Sequence, residues 1–391
     1  MPWKVKSVMN VRMEFVLRVQ NGERVTDLCR EYEISRTTGY KFIERFKKYG
    51  AKGLFDESKK PIRLARQTPL EIQKLILDQK RDKPTWGAAK IKEILERKYP
   101  ELAIPVRSTI HDLLDRHGYV KSRGKRRMKA YPTPLTHVTE PNQLWCTDFK
   151  GQFRLLNQKY CYPFTLSDYH SRYLLGCEGL ESIDQYRVKN IFEIIFKEHG
   201  LPDAIRSDNG VPFSTRTVYG LSKLSVWWMR LGIAVERIAP GCPEQNGRHE
   251  RMHRTLKAET TQPPGKNLLQ QQEKFDLFKE DYNNVRPHEA LNMKVPSEIY
   301  KPSQKFLPKI LPEPDYPLHD FTRRVSECGS LTFKNQPKIF ISEVLGGQMV
   351  GIREEEEGLW RLTFMDQDLG FIDQKTKRFL PRQVFEHPQT P

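Results

Sequence analysis

At Asn142 the chain changes its residue pattern, from helical spacing of apolar side chains to short strand-like runs. LWCTDFKG, YCYPFTLSD and RYLLGCEGL are apolar, aromatic-rich and separated by turn residues, which predicts an antiparallel meander. Periodicity then predicts a helix at about 184–198, a strand at about 203–207, a helix at about 219–231, a strand at about 233–238 and a helix at about 246–260. A further helix, at about 271–284, ends near Arg286-Pro287, because proline cannot continue it. Strands interleaved with helices bury their apolar faces beneath those helices, so this stretch is expected to form an α/β sandwich on one sheet.

Upstream, Val25, Leu28, Cys29 and Tyr32 stand at i, i+3, i+4, i+7, one apolar helical stripe. After Glu33-Ile34-Ser35, with Ser35 as N-cap, a helix from Arg36 to Lys48 is expected to bury Tyr40, Ile43 and Phe46. Thr37, Lys41 and Lys48 share another face, so the pair fits a helix-turn-helix whose second helix enters the major groove. A second unit of that kind follows the break at 59–61. Ile72, Leu75, Ile76 and Gln79 mark its first helix, and Ile91, Ile94 and Leu95 its second. Ile110, Leu113, Leu114 and His117 mark the third, capped by Ser108. Residues 121–130 hold six basic side chains and no acid, and read as the start of an extended linker that follows phosphates. Residues 1–130 hold 32 Lys+Arg against 16 Asp+Glu, and the other 261 residues hold 34 against 33. Nearly all of the net +17 therefore lies in the first third, the distribution a polyphosphate partner requires. Beyond 301, LTFKNQPKIFIS and LWRLTFMDQDLGFI predict a small β-barrel. Its 13 basic and 13 acidic residues argue against an independent strong grip on DNA.

No run approaches the ~18 apolar residues of a membrane span. The N-terminus lacks the apolar stretch of a signal peptide, and the six cysteines form no C-x-x-C pair. Buried thiols in a reducing, cytoplasmic setting are expected, with the protein nucleoid-associated when bound to DNA. Without a G-x-x-x-x-G-K-[ST] loop, ATP use is not indicated.

Three acids stand at element centres or ends. Asp148 lies inside the first strand, on the face opposite Trp145, Thr147 and Phe149, where an acid is costly unless paired or bound to metal. Asp208 ends a strand before Asn209-Gly210, and Glu250 lies on the helix that opens near Asn246-Gly247. Carboxylates so placed can converge on two hard, oxygen-preferring cations, an arrangement suited to in-line phosphoryl displacement. Taken alone, S-D-N-G is more often an Asx-turn.

The surrounding text resembles the integrase-core transposases of bacterial insertion sequences, relatives of retroviral integrases within the ribonuclease-H-like fold. The match lies in WCTDFKG, IRSDNGVPF, PGCPEQNGRHERMHRTLKAE and YNNVRPHEALNMKVPSEIY, and spans residues 10–300, with a looser match beyond. The resemblance implies that Asp148, Asp208 and Glu250 are a catalytic triad holding two Mg²⁺ ions, for which Mn²⁺ can substitute. It also implies that Lys257, with Arg254 on the same helical face, approaches the DNA end. The implied reaction is cleavage at transposon ends, then attack of the freed 3′-hydroxyl on target DNA. Partners are double-stranded DNA, as terminal repeats and target, and further copies of the chain, at least a dimer. Arg36, Thr37, Lys41, Lys48, Arg123, Lys125, Arg126 and Arg127 are the expected DNA contacts of the N-terminal part.

The expected architecture is multidomain α+β. A helix-turn-helix occupies 1–60, a second 61–120, a basic linker 121–141, a ribonuclease-H-like core 142–300 and the barrel 301–391. The chain also departs from the family pattern. The His/His/Cys/Cys zinc domain of retroviral integrases is absent, with helix-turn-helix units in its place. Asp208 and Glu250 are 42 positions apart, longer than is usual in the superfamily, so the helix between them is expected to be extended. Glu244 is a rival third carboxylate, and Asp168 reads as a turn-capping residue. His249-Glu250-Arg251-Met252-His253 also satisfies the zinc-peptidase pattern H-E-x-x-H, although Arg248, Arg251 and Arg254 suit phosphate better than zinc. A non-catalytic DNA-binding regulator descended from a transposase is the further alternative.

Overall fold

The computed structural model describes residues 8–57, 68–120, 136–215, 220–239, 243–334 and 338–381, without the side chains of 243 and 244. The basic side chains Arg123, Lys125, Arg126 and Arg127 lie outside the described residues. Two compact units divide the chain between Thr68 and Pro69.

The first unit has three helices, α1 (Val8–Gln20), α2 (Val25–Glu31) and α3 (Arg36–Tyr49), closed by a 3-10 turn at Gly50–Leu54. Phe15, Val16, Leu28, Cys29, Phe42 and Leu54 form its core. Ser35 caps α3, its hydroxyl accepting from the Thr38 amide at 3.2 Å. A Cβ at Gly39 would meet Cys29 Sγ at 2.7 Å and the Phe15 ring at 3.1 Å, so glycine lets α3 sit close to both. That contact sets the buried stripe at Gly39 and Phe42, flanked by the half-buried Ile43 and Phe46. Tyr40, expected in the core, is instead 54% exposed.

In the second unit, α4 (Leu70–Asp82), α5 (Ala88–Lys98) and α6 (Arg107–Arg116) surround Ile72, Ile76, Trp86, Ile91, Leu95, Ile110, Leu113 and Leu114. Ser108 lies inside α6 and the N-cap is Val106, with no side-chain cap. Lys83 pairs with Asp281 at 2.6 Å and Arg97 with Glu298 at 3.0 Å, so these helices are tied to the later part of the chain.

The central sheet contains β1 (Leu144–Phe149), β2 (Phe153–Arg154), β3 (Tyr160–Asp168), β4 (Leu174–Leu180), β5 (Ala204–Ser207) and β6 (Ala234–Arg237). β4, β3 and β1 run antiparallel, and β5 and β6 continue parallel to β1, giving the order β4-β3-β1-β5-β6 with β2 on the start of β3. Helices cover both faces. Trp145, Phe164, Leu166 and Ile205 face α7 (Gln185–His199) and α8 (Lys223–Arg230). Leu174 and Cys177 face α9 (Gly247–Thr260) and α10 (Leu268–Asn284). The Asn283 amide pairs with both backbone groups of Leu174, at 2.8 and 3.0 Å, and so covers the edge strand β4.

Between Asp208 and Glu250 the helix is short, eight residues in α8. The other described residues between them form β6, a 3-10 turn at Pro243–Asn246 and irregular backbone, and the prolines at 212 and 243 oppose helix formation.

The expected C-terminal barrel is an open antiparallel sheet. β7 (Phe321–Arg324), β10 (Met349–Glu356), β11 (Leu359–Phe364), β12 (Gln367–Asp373) and β13 (Arg378–Pro381) pair in the order β13-β12-β11-β10-β7, without closure between β13 and β7 among the described residues. Its apolar face does not need to curl on itself because other elements cover it. Val350, Ile352, Trp360, Leu362 and Phe364 share a core with Leu331 and Ile339 of the β8 (Ser330–Leu331) and β9 (Ile339–Phe340) pair, and with Leu221, Val226 and Met229 around α8. α8 is thus buried on two sides, since Leu224 and Trp228 belong to the core under the central sheet.

Among the described residues no helix is long and apolar enough to cross a membrane. Cys29, Cys146, Cys161 and Cys177 are buried free thiols, whereas Cys328, in a turn, is exposed.

Candidate active site

Two parallel strands place the aspartates. Cys146 on β1 is opposite Arg206 on β5. Two residues further along each chain stand Asp148, still within β1, and Asp208, just past the end of β5. Asp208 directly follows β5, and its Oδ1 accepts from the Gly210 amide at 3.1 Å. Glu250 is exposed in the first turn of α9.

The start of α9 is fastened to the same strand. Arg206, buried, pairs with Glu236 across β5 and β6 at 3.1 Å and donates to the Gln245 carbonyl at 3.2 Å. The Gln245 side chain in turn accepts from the Ala239 amide at 2.7 Å. An arginine in an otherwise apolar strand requires such a partner, and Arg206 with Glu236 was available to sequence reasoning on that ground.

Burial, followed by the charge of Asp208 and then that of Glu250, pushes the Asp148 carboxyl up to about 7, against the opposing Phe149 amide and Lys150. Burial also raises Asp208, against the Gly210 amide. Two half-buried acids and a third nearby, with one lysine as partial compensation, form a site that gains from a hard cation.

Beneath them lies a hydrogen-bonded cluster that sequence reasoning missed. Thr165 is opposite Asp148 in the β1–β3 register, and its hydroxyl donates to the Asp148 carbonyl at 3.1 Å. The same oxygen meets His249 Nε2 at 2.7 Å and His253 Nε2 at 2.6 Å. A hydroxyl has one proton and two lone pairs, so both imidazoles donate from Nε2. His249 Nδ1 then accepts from Ser167 at 3.1 Å, and the His253 Nδ1 lone pair faces Asp148 Oδ2 at 3.7 Å. Burial holds His249 down to about 3, and burial with His249 and Lys150 holds His253 down to about 2, so both rings are neutral. The available signal was polar Thr165 and Ser167 at i, i+2 in an apolar strand, facing a helix with histidines at i, i+4.

Asp148, His249 and His253 bring one ligand atom each within 4.8 Å of one another. Yet both nitrogens of His249 are engaged with hydroxyls, and Glu250 is exposed whereas both rings are buried. The H-E-x-x-H arrangement with Glu250 as base is therefore not assembled. Asp168 accepts from Ser171 N at 2.7 Å, Ser171 Oγ at 2.6 Å and Asn142 N at 2.8 Å, and so caps the turn after β3. The Glu244 side chain lies outside the described residues.

Arg254 and Lys257 are exposed on α9. Lys150 and Lys257 line one cleft of about 200 Å³ beside Gly151 and Phe153. Arg36, Thr37, Lys41 and Lys48 are all exposed on α3.

Comparison with known proteins follows the same division of the chain. Residues 138–243 and 231–296 match models described as "Integrase core domain", and residues 11–62 match "Helix-turn-helix domain". The insertion element IS407 31.7 kDa protein of Burkholderia multivorans is 26% identical over 160 residues, 41% of this chain and 55% of that protein. The insertion element IS476 39.2 kDa protein of Xanthomonas euvesicatoria is 24% identical over 180 residues, 46% of this chain and 50% of its own. The chain thus spans about half the length of these relatives. The magnesium-bound catalytic core domain of HTLV-2 integrase aligns at 14% identity and TM-score 0.33, over 41% of this chain and 98% of that one. A chain of the simian T-cell lymphotropic virus intasome aligns at 14% identity and TM-score 0.38, over 76% and 97%.

Proposed function

We propose that this chain, which belongs to the integrase-core family of insertion-element transposases and carries an N-terminal helix-turn-helix domain, is a DNA transposase that cuts transposon ends and joins them to target DNA. The observation that carries the reading is that Asp148 on β1 and Asp208 just after the parallel strand β5 stand close together, with Glu250 near enough that both other charges raise Asp148. The strand order β4-β3-β1-β5-β6, three antiparallel strands followed by two parallel ones, supports a ribonuclease-H-like assignment for this core.

Asp148, Asp208 and Glu250 are the residues that would hold two Mg²⁺ ions, and their all-oxygen donor set with excess negative charge fits such cations, with Mn²⁺ as substitute. Bound there, the cations supply activation of the attacking oxygen and charge stabilisation of the leaving one. The chain's own contribution is placement. Arg206, Glu236 and Gln245 fix the start of α9 against β5, and the Thr165 cluster fixes its first two turns against β3. Arg254 and Lys257, one and two turns beyond Glu250, bind the phosphates of the DNA end. In the cutting step a water oxygen bonds to phosphorus and the 3′-oxygen leaves. In joining, that 3′-hydroxyl bonds to a target phosphorus and displaces a target 3′-oxygen. One P–O bond forms for each that breaks, so no nucleotide cofactor is consumed.

Arg36, Thr37, Lys41 and Lys48 on α3 read the end sequence, residues 61–120 form a second such unit, and 121–141 with Arg123, Lys125, Arg126 and Arg127 follow the backbone to the core. Two ends are processed together, so the active form is at least a dimer on DNA. The test is Mg²⁺-dependent strand transfer on the element's own ends. Glu250→Gln is expected to abolish cutting and joining while DNA affinity persists. A parent chain that binds the ends but neither cuts nor joins them would favour the non-catalytic regulator.

A further inference from the structure

α9 presents cations on a face other than that of Glu250, Arg254 and Lys257. Arg248 and Arg251, one turn apart, are exposed there. Arg248 is already held in place, its guanidinium lying over the Tyr169 ring at 4.0 Å and donating to the Tyr169 carbonyl at 3.0 Å. Beside them is Arg172, in the turn between β3 and β4, whose buried Nε has no hydrogen-bond partner. Thr85, just before α5, bonds to Glu259 on α9 and to Arg286, so the first turn of α5, which carries Lys90, lies beside that helix. Among the nearby acids, Glu259 is engaged with Arg286 at 2.8 Å and with the Thr85 hydroxyl, Asp281 with Lys83 at 2.6 Å, and Asp168 with Ser171 and the Asn142 amide. Arg172, Arg248 and Arg251 form no ion pair among the described residues.

These cations sense one another. Burial lowers Arg172, and Arg248 and Arg251 lower it further, against Tyr282 and Tyr169. Burial and Arg286 hold the Lys90 amine down to about 7, with Arg172 adding to the effect and Glu259 and Glu289 opposing it. Like charges gathered on a partly dehydrated surface are unfavourable unless an anion neutralises them. The cavity within the cluster, lined by Arg172, Arg248 and Tyr282, is only about 20 Å³, too small to enclose a phosphate group. The group therefore suits a polyanion laid across the surface rather than a small anion held inside. We propose that Lys90, Arg172, Arg248 and Arg251 are a phosphate track for the backbone of double-stranded DNA, separate from the Glu250–Lys257 face and from α3. The track rests on the transposase reading for the identity of its ligand. It joins α5, the β3–β4 turn and α9, so DNA lying on it bridges the helical part of the second unit and the catalytic core.

The test uses the full chain and two duplexes, one carrying the transposon end and one of arbitrary sequence, with affinity measured across a salt series. Phosphate contacts set the slope of log affinity against log salt at about 0.9 per contact. Arg248→Gln/Arg251→Gln is expected to lower the slope by about two, and adding Lys90→Gln by about three, equally on both duplexes. Arg248→Lys/Arg251→Lys should keep the parental slope. An unchanged slope in the Gln variants, or a slope lost equally in the Lys pair, would overturn the track. The control Lys41→Gln/Lys48→Gln separates the two readings. Binding that falls in the control but not in the track variants removes the track alone. A parent chain without salt-sensitive DNA binding removes the transposase reading itself.

Discussion

Thr165→Val is the most direct perturbation of the machinery that seats α9. Valine keeps the shape of threonine and fits a buried strand, so any loss is due to the hydroxyl. In the parent that oxygen accepts from two buried imidazoles, at 2.7 and 2.6 Å, and donates to the Asp148 carbonyl at 3.1 Å. Removing it leaves two buried N–H groups without an acceptor, at about 1–3 kcal/mol each, or about 2–6 kcal/mol before relaxation. Thr165→Ser keeps the oxygen and loses one methyl group, about 1 kcal/mol. The more apolar residue is therefore expected to be the worse one, by at least about 1 kcal/mol, which reverses the usual order for a core site. Urea unfolding followed through tryptophan fluorescence reads this, because Trp145 and Trp228 are fully buried on the opposite face of the same sheet. Strand transfer should fall in the Val variant and survive in the Ser variant. If Val proves as stable as Ser, the hydrogen bonds are not what fastens α9 to β3.

Three further outcomes follow from the site and the first unit. The Asp148 carboxyl is raised from its ordinary 3.8 to about 7, so without metal its unfavourable charge costs nothing below pH 4 and lowers stability as pH rises toward 7. The cost reaches at most about 4 kcal/mol, and metal-free Asp148→Asn should show a flatter stability curve between about pH 4 and 8; coincident curves for the two proteins would refute it. Purified protein should carry no stoichiometric zinc by elemental analysis, and zinc present in the parent but missing from His253→Ala would instead make Asp148, His249 and His253 a zinc centre. Gly39→Ala should lower the melting temperature of the helix-turn-helix unit, by about 1–3 kcal/mol of overpacking, because the new methyl meets Cys29 Sγ at 2.7 Å; an unchanged melt would mean that α3 can retreat freely.

The elements of the central sheet were legible because their signals are local. Aromatic-rich runs became β1, β3 and β4, and alternating periods became α7, β5, α8, β6, α9 and α10 within a few residues of their observed ends. Features that depend on a second element were harder to read. Tyr40 lies next to the true stripe of α3, and only the contact of Gly39 with Cys29 decides which face turns inward. α1 escaped notice although Phe15, Val16 and Val19 have helical spacing, because no cap or break announces it. Ser108 looked like a cap, but the cap position of α6 is Val106, two residues earlier. The C-terminal strands alternate as barrel strands do, and nothing within them indicates that α8 supplies the missing wall. At the candidate site, the acids could be picked out singly from their positions. The cluster under them could not, since Thr165 meets His249 and His253 only after more than eighty intervening residues have folded.

α8 also bears on how a protein of this kind can be cut or recombined. Leu221, Val226 and Met229 on one side, and Leu224 and Trp228 on the other, make the same short segment a wall of two cores. A chain ended near residue 300 would strip one of those walls and leave an apolar patch facing water, so it should aggregate rather than persist as a trimmed core. By the same logic, a tail borrowed from a relative would succeed only if it arrived with a helix shaped to receive it. The natural seam for exchanging parts therefore runs through side chains on the back of the central sheet's helical layer, and the two pieces are bound to diverge together.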